Sequence, residues 1–137
     1  MAMTVYARTY EASGAEATDP NHALVLLFEG AVRFLYQAKD ALSRGDHHAK
    51  CQGLIRAQRI FSTLGCALDQ DADPALAASL SATYGWAHSA LTEVGIRDDV
   101  ELLDRVTEVA TGLAEAWRQA RQNLVQEQYA GLPQVAA

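Results

Sequence analysis

The chain has 137 residues, half of them hydrophobic and a fifth charged, which suits one domain with a core that needs no disulfide or metal staple and excludes disorder throughout. Seventeen acidic residues against eleven Lys and Arg leave a net charge of −6. With no basic run of five, a nucleic acid is a poor partner. The longest apolar run falls far short of the ~20 residues that span a bilayer, and no basic-then-apolar leader opens the chain. A cytoplasmic protein without membrane insertion is expected.

In chain order, residues 1–18 hold Val5, Tyr6 and Tyr10 ahead of the small-residue stretch Ala12-Ser13-Gly14-Ala15. No periodic apolar face organises them, so a mobile arm is expected. Asp19-Pro20 then opens a helical pattern in which Leu24, Leu27, Phe28, Ala31, Phe34, Leu35, Ala38 and Leu42 line one face. Val25, Leu26, Val32 and Tyr36 lie partly or wholly outside that stripe, a surplus that fits either a central helix or a second docking face. Gly45 is placed to end this helix in the left-handed region.

Asp46, Asp73-Pro74 and Asp98-Asp99 each precede a further apolar pattern, putting a carboxylate where the first free amides of a helix need an acceptor. The second helix, from Asp46 to Leu68, carries Cys51, Leu54, Ile55, Phe61, Leu64 and Leu68 as its stripe. The third, Pro74 to Val94, carries Leu76, Leu80, Tyr84, Ala87, Leu91 and Val94, with Gly95 near its end. The fourth, Asp99 to about Leu124, carries Leu103, Val106, Ala110, Leu113, Trp117 and Leu124. Four segments with short connections give an all-α, antiparallel four-helix bundle over residues 19–124, and residues 125–137 read as a frayed helix end and flexible tail.

Chemistry is harder to find. His22, His47, His48 and His88 include no pair four apart on one helix, and no Glu-x-x-His occurs, so no metal or other cofactor is expected. Cys51 and Cys66 would sit about 22 Å apart on one helix, too far to bridge, and read as reduced, buried thiols. The glycines form no phosphate loop. Gly30, Gly53, Gly85 and Gly112, each unfavourable in a helix by about 1 kcal/mol, are read first as places of close helix approach and second as a binding groove lined by exposed backbone. Trp86 points well away from Tyr84 around its helix, which makes it the least comfortable of the core aromatics.

Pro20, Leu24, Leu27-Phe28-Glu29-Gly30-Ala31 and Phe34-Leu35 together resemble the pattern of the flagellin export chaperones, the FliS family, with Phe28 in the tyrosine place. The resemblance continues in order through Ala38, Ala41, Gly45-Asp46, Ala57, Ile60, Leu64, Leu68-Asp69, Leu80, Tyr84, Leu103, Leu113 and Trp117, and Tyr6 is similar to the family's N-terminal tyrosine. The chain departs from the pattern at Asp73-Pro74, Tyr84-Gly85-Trp86 and Gly95.

The resemblance implies a non-enzymatic cytoplasmic chaperone that binds the disordered C-terminal segment of flagellin, blocks premature polymerisation and assists export by the flagellar type III apparatus. Val5, Tyr6 and Tyr10 are then expected as a cap over a client groove, and Val25, Leu26, Val32, Tyr36 and Trp86 as client-contacting positions. Two other classes fit a four-helix bundle: a phosphotransfer domain acting through His88, which lacks a nearby lysine, and a structural bundle whose surplus apolar face forms a homodimer when free.

Overall fold

The computed structural model describes residues 5–6 and 20–130. Four helices follow one another: α1 (Pro20–Ser43), α2 (His47–Cys66), α3 (Pro74–Arg97) and α4 (Val100–Ala130). Each packs on its chain neighbours, and α4 returns to α1 to close the ring. Cross-helix pairs fix the antiparallel register. Gly53 of α2 lies on Phe34 and Ala38 of α1, Gln58 of α2 bonds to the His88 carbonyl and Thr92 hydroxyl of α3, and α1 joins α4 through Lys39–Asp104 and Glu29–Arg118. The result is the expected up-and-down bundle, and α3 and α4 share the least contact of the four neighbouring pairs.

The carboxylate caps act as their spacing requires. Asp46, Asp73 and Asp99 each accept the backbone N–H three residues on, at 3.1 Å. Gly45 takes the left-handed conformation, φ 72°, and lets the Asp46 amide reach back to the Ala41 carbonyl. At the end of α3 the residue with positive φ is Asp98, not Gly95, which lies inside the helix. Asp98 holds that conformation beside Lys50, whose buried ammonium donates to its carboxylate and to the Gly95 carbonyl. The hydrogen bond from Lys50 and its positive charge keep the Asp98 carboxyl below its ordinary range. Its contribution to stability is therefore present above the unfolded carboxyl pKa and is lost as acid protonates it.

Packing corrects several details of the sequence reading. Cys51 and Ile55 belong to the exposed side of α2, and the inward positions are Lys50, Gly53, Leu54 and Ala57. Both cysteines are free and exposed rather than buried. The fourth helix continues to Ala130, although its buried positions end at Trp117.

Of the five buried aromatic residues, Phe28, Phe61, Tyr84 and Trp117 come one from each of the four helices. Phe28 stacks on Trp117 at 5.8 Å between ring centroids, and Tyr84 lies 6.3 Å from Phe28 and 6.2 Å from Phe61. Such pairs add about 0.5–1.5 kcal/mol beyond the area they bury, so the cluster is the point where all four helices are tied together.

The glycines divide into two kinds. A Cβ at Gly53 would stand 3.0 Å from the Phe34 carbonyl oxygen and 3.1 Å from the Ala38 nitrogen, both backbone atoms, whereas a Cβ at Gly85 or Gly112 meets nothing within 4 Å. Close helix approach explains Gly53 and does not explain the other two. Gly53→Ala is expected to force α1 and α2 apart and destabilise by about 1–3 kcal/mol. Gly112→Ala is expected to gain up to about 1 kcal/mol. Urea unfolding of the two variants reads both signs.

Candidate functional site

A groove of about 250 Å³ runs between α2 and α3, lined by Phe61, Ser62, Gly65 and Cys66 on one side and Ser81, Tyr84, Gly85 and His88 on the other. The sequence reading held a groove only as the second explanation for Gly85 and did not connect it with Phe61, Gly65 or Tyr84. Its signal was present in Gly65 and Gly85, small residues on facing helices, but only the register of α2 against α3 brings them together. Phe61 and Tyr84 are buried and form the floor; Ser62, Cys66, Ser81, Gly85 and His88 are exposed at the rim. At one end Gln58 spans from α2 to α3 through its two hydrogen bonds, which hold the walls at a fixed distance. The groove has room for anchoring side chains of a docked segment, not for the segment itself.

Tyr84 faces two ways. Its ring lines the groove, and its hydroxyl is 2.7 Å from that of Tyr6 in the interior. Burial pushes the Tyr84 pKa up to about 12, partly opposed by the hydrogen bond with Tyr6. Tyr6 also meets Trp117 edge-on at 5.5 Å, and the Val5 carbonyl accepts the Asp69 amide at 2.7 Å. Val5 and Tyr6 thus reach the α2–α3 connection, α3 and α4 at once, beside the helix pair in least contact.

The residues expected to meet a partner are dispersed. Tyr6 is 1% exposed and Val5 fully enclosed, so both are core residues here, not an open arm. Tyr10 lies outside the described residues. Val25, 5% exposed, is also core, and Val32 is partly buried against it. Leu26 and Tyr36, 52% and 57% exposed, lie on the outer side of α1. Trp86, 41% exposed, sits on α3 around the helix from Gly85 and His88 and is not part of the groove lining. No single surface joins the seven described positions.

Among the described residues no group of three or more His, Cys, Asp and Glu side chains is placed to hold a metal ion, and no helix is long and apolar enough to cross a membrane. What the groove can do is bind an apolar side chain by burial.

The sequence model of the flagellar protein FliS matches residues 2–124. The chain belongs to the FliS family. It is 30% identical over 115 residues to the flagellar secretion chaperone FliS of Salmonella typhimurium, covering 83% of this chain and 85% of that protein. To the flagellar secretion chaperone FliS of Bacillus subtilis it is 28% identical over 114 residues, 83% and 84% of the two chains. A crystal structure of a bacterial flagellar chaperone superposes with a TM-score of 0.71 at 20% identity, over 85% of this chain and 94% of the other. The four-helix fold is shared with that chaperone, and the family identity makes this chain a flagellar secretion chaperone that assists export.

The buried hydroxyl pair is testable. Removing either hydroxyl leaves the other without this bond, so Tyr6→Phe and Tyr84→Phe are each expected to cost about 1–3 kcal/mol, with the double variant costing less than their sum. Because the folded Tyr84 pKa is raised, the unfolded chain gives up that proton first as pH rises. Stability should hold up to about pH 10 and then fall until about pH 12, by at most roughly 1.4 kcal/mol per pH unit from this group. Denaturant titrations across that range check it, and Tyr84→Phe should flatten the decline.

Proposed function

We propose that this chain binds the disordered C-terminal segment of flagellin in the cytoplasm, blocks its premature polymerisation and presents it to the flagellar type III export apparatus. The observation that carries this reading is the open groove floored by Phe61 and Tyr84, in a member of a family of flagellar secretion chaperones. A flagellin tail with apolar helical stripes aggregates or polymerises when exposed. Laid on the chaperone as an amphipathic helix, it buries that stripe and folds as it binds. Ordering the client offsets part of the gain, so a long wrapping interface is favoured over one deep pocket. Leu26, Val32, Tyr36 and Trp86 extend the client path beyond the groove.

Val5, Tyr6 and Tyr10 act as a displaceable cap. The link of Val5 and Tyr6 to the groove is Tyr84, whose ring lines the groove and whose hydroxyl is bonded to that of Tyr6. A client that shifts the ring competes with the Tyr6 bond. Homodimerisation of the free chain is the competing use of the outer apolar face of α1, and sedimentation without client reads it directly.

Calorimetric titration with a peptide covering the C-terminal helices of flagellin tests the reading. One-to-one binding with a negative heat-capacity change and a gain in peptide helicity is expected; absence of binding to folded protein rejects it. Gly85→Leu, at a site with open space for a Cβ, should keep the fold and weaken binding at least tenfold. Tyr6→Phe, by removing the cap's bond to Tyr84 at a cost of about 1–3 kcal/mol, should tighten binding at least about fivefold.

A further inference from the structure

Helix α2 contains His47, His48, Lys50, Arg56 and Arg59 and no carboxylate, in a chain whose net charge is −6. Lys50 turns inward to Asp98. Arg56 and Arg59, one turn apart, point outward, and Arg33 of α1 is exposed across the seam from them. The guanidinium carbons of Arg33 and Arg56 each lie 5.7 Å from the centroid of the same ring, Phe34. A Cβ on Gly30 would touch both an Arg33 terminal nitrogen and the Ile60 methyl, which places Ile60 beside the pair.

Four other cations on the bundle surface have carboxylate partners, whereas Arg105 of α4 stands alone among the described residues with no neighbouring arginine drawn to a shared ring. Lys39, Arg44, Arg97 and Arg118 pair with Asp104, Asp40, Glu93 and Glu29. Arg33, Arg56 and Arg59 have none among the described residues. Two guanidinium groups drawn to one ring repel each other, and the ring holds them with their N–H edges free to take carboxylates side by side. Nothing within this face supplies that anion.

We propose that the α1–α2 face centred on Phe34, with Arg33, Arg56, Arg59 and Ile60, is a second protein-docking surface that takes an acidic peptide segment, its carboxylates on the arginines and an apolar side chain against Phe34 and Ile60. The surface is separate from the α2–α3 groove and its occupation does not depend on the flagellin reading. A nucleic acid fits it poorly. Three arginines neutralise few phosphates, and the acidic remainder of the chain repels a polyanion that extends past them.

The test is an NMR titration that follows the side-chain Nε–Hε signals of the arginines. The probe is an acetylated, amidated peptide of repeating Glu-Glu-Leu, with a Gln-Gln-Leu peptide as its uncharged match. Saturable shifts confined to Arg33, Arg56, Arg59 and their α1–α2 neighbours are expected, at least tenfold weaker for the Gln peptide and for Arg33→Gln or Arg56→Gln, and weaker again with added salt. Arg56→Lys, which keeps the charge and loses the planar fork, should bind several-fold less tightly and serves if a Gln variant unfolds. Absent shifts, or equal binding of the Gln peptide, overturn the proposal. A short oligothymidylate binding as tightly as the Glu peptide also overturns it, in favour of a general polyanion surface.

Discussion

Tyr84 is the residue on which most of the interior depends. Its ring fits among aromatics from α1 and α2, and its buried hydroxyl is bonded to Tyr6, a residue far away in sequence. A phenol sealed from water needs a partner, because an unmade hydrogen bond there costs the desolvation of the group. The need is met from outside the four helices. The bundle is therefore not a closed set of four elements: the seam beside α3 and α4 is finished by Val5 and Tyr6, held further by the backbone bond to Asp69.

That arrangement places a stabilising interaction and a binding surface on the same side chain. The groove between α2 and α3 is floored by the ring whose other end Tyr6 holds. Interaction energy spent on the interior at this point is drawn from the same atoms that a bound segment would use.

The two ends of the bundle are stabilised differently. At the Tyr84 end, aromatic packing and one hydroxyl pair dominate. At the other, Lys50 reaches from α2 to Asp98 and the Gly95 carbonyl, tying the α3–α4 turn to the start of α2 with charge rather than apolar area. Between them, Gly53 lets α1 and α2 approach until backbone meets backbone, which fits that pair's being the most extensive contact in the ring.

The sequence by itself determined the local features. The capping aspartates, the left-handed Gly45, the four apolar periods and the inward positions of Phe28, Phe61, Tyr84 and Trp117 follow from contacts within a turn or two of chain, where spacing dictates geometry. It also carried the family pattern around Leu27 to Leu35. Only the tertiary structure decided what depends on distance between elements. Periodicity gives the direction of an apolar stripe but not its width, so Val25 went into the core while Leu26 and Ile55 stayed outside. Val5 and Tyr6 have no period to place them, and the groove at Gly65 and Gly85 exists only in the register of two helices, a relation that neither helix encodes alone.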